Sequence, residues 1–152
     1  MGKNHYYISM KSYCNLIDES LQKSAIWIEK AKADMETVEK MLKAEAYDWS
    51  TFLCQQSVEK LLKGIFILEK QKFPPHIHGL KQLAKLLDKI PPENIFINIE
   101  LIDKFYIPSR YPEERLSEQQ WEQYFTNTFA TDLFKKTKEV FLWYSKEYNF
   151  KI

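Results

Sequence analysis

Between Ser20 and Ala46 the apolar residues Ile28, Ala31, Met35, Val38 and Leu42 recur three and four positions apart. Lys30, Lys32, Glu36, Glu39, Lys40 and Lys43 take other places around the same turns. That period describes an α-helix with one face toward a core and one toward water. It breaks at Tyr47 to Ser50, where Asp48 or Ser50 is placed to cap a second helix. In the stretch WSTFLCQQSVEKLLKGIFILEKQ, Leu53, Ser57, Leu61, Gly64 and Leu68 form a stripe suited to close packing. Phe52, Leu62, Ile65 and Phe66 widen its apolar surface, so this helix is expected at the centre of the fold.

Phe73-Pro74-Pro75 ends the second helix, because proline has no amide donor and clashes with the preceding turn. A short third helix is predicted from Leu80, Leu83, Ala84, Leu86 and Leu87, with His78 as its entry cap and Pro91-Pro92 as its limit. A further segment runs from Ile95 to Tyr106 and stops at Pro108. The polar loop SRYPEERLSEQQ follows, in which Ser117 and Gln120 match a capping box. The last helix is predicted from about Glu118 to Tyr148, with Phe125, Phe129, Leu133, Val140 and Tyr144 on one face. Four or five helices with short connections predict an all-α, antiparallel up-and-down bundle. Residues 1–19 form an N-terminal extension or short extra helix, and residues 20–152 form the bundle domain.

A chain of 152 residues and 18.3 kDa supplies one domain, and 45% hydrophobic residues are ample for its core. No apolar run approaches the ~20 residues of a membrane span. A net charge of +1 gives no global field for nucleic acid. Cys14 and Cys54 form no CxxC pair, and the expectation is a cytoplasmic protein with reduced core thiols and no leader. Trp121, Tyr124, Phe141, Trp143 and Tyr144 exceed what one face can bury, which points to a partner surface and, most economically, a homodimer.

Candidate chemistry is sparse. Gln56, Glu59, Lys60 and Lys63 share one face of the second helix, at offsets of zero, three, four and seven. They are either a solvated stripe, with a Glu59–Lys63 pair contributing about 0.3–0.5 kcal/mol, or one wall of a site. His76 and His78 have the spacing of a metal pair but no further ligand nearby, so neither metal nor cofactor is expected. Three glycines make no phosphate-binding loop, and no serine or cysteine nucleophile is evident. Arg110 and Arg115 are the only arginines. Arg110-Tyr111-Pro112 lies in the stiffened loop after Pro108, and an arginine beside a tyrosine suits a phosphate or a base face. The alternative is that Arg110 pairs with Glu113, Glu114 or Glu59 to fix the loop.

The string Gln55-Gln56-Ser57-Val58-Glu59-Lys60-Leu61-Leu62-Lys63 resembles the QQ-x-x-EK-x-LK segment of HEPN domains, the higher eukaryote and prokaryote nucleotide-binding family. Ala31, Asp34 and Glu39 before it, then His78-Gly79-Leu80-x-x-Leu83 and Arg110-Tyr111-Pro112 after it, follow that family's order over about residues 25 to 145. The resemblance implies a helical bundle, usually homodimeric, often paired with a small nucleotidyltransferase. Nucleotide such as ATP or GTP is the implied ligand, with Gln56, Glu59, Lys60, Lys63, His78, Arg110 and Tyr111 as its candidate contacts. Some members resemble toxins that cleave RNA through an R-x(4–6)-H motif. Here no histidine follows Arg110 or Arg115. The expectation is a non-catalytic domain without membrane contact, with a ribonuclease of degenerate motif, acting on RNA, or a purely structural dimerisation module as alternatives.

Overall fold

The computed structural model describes residues 3–106 and 125–152, with side chains from residue 18 onward. Among the described residues are five helices and no strand: α1 Lys3–Lys43, α2 Tyr47–Lys70, α3 Leu80–Lys85, α4 Glu93–Asp103 and α5 Asn127–Tyr148. The fold is all-α. α1 and α2 form a tight antiparallel hairpin, and α2 packs against each of the other four helices. Its central position follows from its sequence, since Ser57 and Gly64 are buried on one side, Val58 and Leu62 on the next, and Glu59 and Lys63 beyond them. Leu133, Val140, Phe141 and Tyr144 of α5 complete the core from the opposite flank.

The α1–α2 seam closes around Gly64. Ser24 Oγ donates to the Gly64 carbonyl at 2.8 Å, a buried hydrogen bond between the helices. A Cβ on Gly64 would lie 2.8 Å from Ile28 Cγ1, 3.1 Å from Trp27 Cβ and 3.3 Å from the Ile28 amide nitrogen. Glycine is therefore needed here for backbone approach, even though it weakens a helix interior. The hairpin turns at Glu45, which takes a left-handed conformation with φ 59°. The amide of Ala46 returns to the Met41 carbonyl and satisfies one of the orphaned acceptors at the end of α1.

Several helix ends differ from the sequence reading. α2 begins at Tyr47, with Ala46 at its cap position, so neither Asp48 nor Ser50 is the cap. Asp48 instead places its charge in the first turn, and Ser50 Oγ donates back to the Tyr47 carbonyl at 2.7 Å. α3 is capped by no side chain of its own. Asp103, at the end of α4, accepts from the Leu80 and Lys81 amides at 2.9 and 3.3 Å, so His78 is released from the capping role. α5 starts at Asn127, because Thr126 accepts from the Phe129 amide. Ser117 and Gln120, the expected capping box, lie outside the described residues, as do Trp121 and Tyr124. α1 is continuous from Lys3, so residues 3–19 prolong the first helix.

Two further features tie the layers together. Glu69, near the end of α2, accepts from the Asp88 amide and from the Tyr148 hydroxyl, joining the segment after α3 and the last turn of α5 to α2. Burial, followed by the Glu69 carboxylate, pushes the Tyr148 phenol up. Cys54 is a free thiol in the core, pushed up to about 12 by burial, and so is unreactive in the folded chain.

Gly64→Ala would gain about 1 kcal/mol of helix propensity but overpack the seam by more than that. The expected net loss is about 1–2 kcal/mol, measured as a lower urea midpoint with an unchanged slope.

Candidate functional site

The middle turns of α2 carry the candidate residues, and the solvated-stripe alternative does not hold for them. Glu59 and Lys63 are both buried, each with about 8% of its side chain exposed, and Lys63 Nζ lies 2.8 Å from Glu59 Oε1. The order glutamate then lysine, four apart, is the favourable one on a helix. A buried carboxylate needs its remaining lone pairs satisfied. His78, on the segment before α3, supplies Nδ1 to Glu59 Oε1 at 3.1 Å. Gln55 and Gln56 each bring Nε2 to Glu59 Oε2 at 3.4 Å. Gln56 Nε2 also donates to Gln55 Oε1 at 2.6 Å, and Gln55 Nε2 donates to the His78 carbonyl at 3.0 Å. Trp27 of α1 presents its ring 6.0 Å from Lys63 Nζ.

Four of the predicted residues thus meet: Gln56, Glu59, Lys63 and His78. Lys60 does not join them. It reaches across the seam to α1, where its ammonium pairs with Asp34, itself buried. Arg110 and Tyr111 lie outside the described residues. Gln55 is the residue the candidate set lacks. It is fully buried and fastens the backbone of His78 to α2. Its signal in the sequence was spacing, because Gln55 lies four positions before Glu59 and eight before Lys63, at the edge of the face that Gln56, Glu59, Lys60 and Lys63 share.

His78 is the exposed member, with 57% of its side chain open to solvent. Its ring stacks on Tyr106 at 5.4 Å with an interplanar angle of 9°. Phe52 lies 6.3 Å beyond Tyr106, and Trp49, more than half exposed, lies 6.2 Å from Phe52. The result is an aromatic shelf bordering a buried, charge-balanced cluster. Because a carboxylate only accepts, its bond to Nδ1 places the proton on Nδ1 and leaves Nε2 of the neutral ring as an acceptor. A shelf of this kind can stack a planar ligand, and its imidazole can take a proton. A hollow of about 390 Å³ lies elsewhere, between α1 and α5, lined by Met35, Phe134, Phe141, Leu142 and Ile152 among others. Among the described residues no group of three or more His, Cys, Asp or Glu is gathered to hold a metal ion, and no helix is long and apolar enough to cross a membrane.

A family model described as HEPN domain matches residues 24–148. A candidate toxin of Methanocaldococcus jannaschii, MJ1304, is 29% identical over 112 residues, covering 65% of this chain and 70% of that protein. The crystal structure of TT1696 from Thermus thermophilus matches with a TM-score of 0.68 and 25% identity, over 78% of this chain and 92% of that one. ST0689, described as an archaeal HEPN homologue, matches with a TM-score of 0.66 and 26% identity, over 82% of this chain and 97% of that one.

Removing one partner of a buried pair leaves an uncompensated charge. Lys63→Met is expected to destabilise the fold by about 3 kcal/mol and Glu59→Gln by a similar amount, while the double variant loses less than the sum. The check is a double-mutant cycle by urea denaturation, with coupling above about 1 kcal/mol.

Proposed function

This chain belongs to the HEPN domain family, and from that premise we propose that it is a non-catalytic HEPN subunit that binds a nucleotide, ATP or GTP. In this reading it forms a homodimer and serves as the partner of a small nucleotidyltransferase in a toxin–antitoxin-like pair. The naming of a relative as a candidate toxin supports the pair. The observation that carries the ligand is the exposed His78 ring stacked on the half-buried Tyr106 and held by the buried Glu59 cluster, a support for a purine ring. Lys63 and Lys60 are matched by Glu59 and Asp34, so neither offers an uncompensated charge to phosphate. That role passes to Arg110, four positions beyond Tyr106, with Tyr111 as a second ring for the base.

Isothermal titration of ATP and of GTP into the full chain tests this. The wild type should bind one of them at micromolar strength. Tyr106→Ala and Arg110→Ala, each confirmed folded by circular dichroism, should weaken binding about 10-fold or more, the size expected for one lost stack or phosphate contact. Absence of binding by the wild type would overturn the nucleotide reading.

A second reading has one observation in its favour. The buried Glu59 orients the exposed imidazole of His78, as a general base is oriented by a carboxylate. His78 would then replace the histidine missing after Arg110, and the protein would be a ribonuclease that draws the 2′-hydroxyl proton to Nε2. Cleavage of total RNA by the wild type, reduced at least about 100-fold in folded His78→Ala, is its expected outcome. Intact RNA after long incubation at high protein concentration would dispose of it.

A further inference from the structure

The hollow between α1 and α5 has no part in the nucleotide reading, and the ties within the bundle keep it open. α1 is fastened to α2 by the Ser24–Gly64 hydrogen bond and, further along, by the Lys60–Asp34 pair. Ser57 Oγ of α2 adds a contact to Met35 Sδ at 3.4 Å, which seats the side chain that α1 turns to the hollow. α5 is fastened independently. Asn98 of α4 donates to Glu139 at 2.9 Å, and Tyr148 donates to Glu69 of α2. Each helix is therefore held by its own neighbours, and closing the gap would strain contacts on both sides. An apolar gap between fixed walls forgoes packing contacts while it is empty, and a molecule that fits recovers them.

A volume of about 390 Å³ falls in the range of small-ligand sites and is far above the room one water needs. Its most buried lining is Met35 with the rings of Phe134 and Phe141. Leu142 and Ile152 border it too, and they are 46% and 59% exposed. Ile152 arrives there because the chain turns back after α5. Asn149 takes a left-handed conformation with φ 60°, and the amide of Phe150 returns to the Ser145 carbonyl. A ligand would cover two apolar side chains that now stand half in water, which adds to what the inner lining supplies.

Charge at the rim selects the class. Lys32, Glu36 and Glu39 of α1 and Lys138 of α5 border the hollow, two of each sign. The groups that two of them lean on are balanced as well, Glu29 for Lys32 at 2.7 Å and Lys43 for Glu39 at 4.0 Å. Lys138 rests its ammonium over the Phe134 ring, 4.6 Å from the centroid. An anion would face two carboxylates and a cation two ammonium groups, whereas an uncharged molecule meets neither repulsion. Two phenylalanine rings and a thioether suit an aromatic guest, since rings pack edge to face and sulfur packs well at a ring edge. We propose that the hollow is a binding site for an uncharged aromatic molecule of about the size of indole. Ser57 and Glu59 lie ~200° apart around α2, so this site and the His78 shelf are on opposite sides of that helix.

Indole is the probe, titrated calorimetrically into the full chain, with dodecanoate as the anionic comparison. Indole should bind with a dissociation constant below about 1 mM, and more tightly than dodecanoate. No binding of indole, or tighter binding of dodecanoate, would overturn the proposal. Place is read by NMR of the protein labelled with 13C at its methionine methyl groups. The Met35 signal, assigned from Met35→Leu, should shift as indole is added, and an unmoved signal at saturation would overturn the placement. Leu142→Trp sets a tethered ring at the border of the hollow and, confirmed folded by circular dichroism, should weaken indole at least about 10-fold. Unchanged affinity in that variant would also count against the site. The ATP and GTP titrations are read separately, so failure here leaves the nucleotide reading standing and its failure leaves this one.

Discussion

Placing the Glu59 carboxylate out of water on the central helix constrains much of what surrounds it. A charge in that position has to be met by donors from whichever elements can reach it. Lys63 comes from the next turn of α2, His78 from the segment before α3, and two glutamine amides from the turn before. Gln55 then holds the His78 backbone to α2 as well. The path of the chain between α2 and α3 is thereby fixed by polar contacts, because Phe73 to His78 contributes little to the core. α3 itself has only six residues and takes its N-terminal acceptor from Asp103 on α4. The aromatic shelf is assembled as a by-product: the same contacts that satisfy Glu59 bring the His78 ring onto Tyr106.

The lysines of α2 illustrate how far pairing alters a charge pattern. In the sequence Lys60 and Lys63 look like two cations on one face, ready for phosphate. In the fold one is matched within its own helix and the other across the seam, and the two pairs are separate. Neither lysine is left unpaired for a ligand, and the described part of the shelf offers rings and one oriented imidazole.

The architecture was legible wherever one residue period held over several turns. The α1 and α2 periods, the stop before Pro74 and the central burial of α2 needed only spacing and proline sterics. Gly64 could be placed on the packing stripe, although its contact with Ile28 and Trp27 could not be read from its own helix. Helix ends were less legible, because the acceptor for α3 comes from Asp103, a residue 23 positions away. The site was half legible for the same reason. Sequence distance shows which side chains share a helix face, but not that Lys60 would turn to Asp34, or that Tyr106 would slide under His78. Family resemblance supplied His78 as a candidate, and the geometry supplied its partners.

The short turn after Lys43 has a consequence in time. Only three residues separate α1 from α2, so closing that hairpin costs less chain entropy than any contact α5 makes with α2. Low sequence separation favours its early formation, with the Ser24–Gly64 contact inside it. In that order the Glu59 carboxylate would give up its hydration later, as the His78 segment docks onto a surface already built. Seam substitutions would then slow folding and Glu59 substitutions would chiefly hasten unfolding, a division visible in the two limbs of a chevron plot. Dehydration of that carboxylate would then wait until a scaffold exists to receive it.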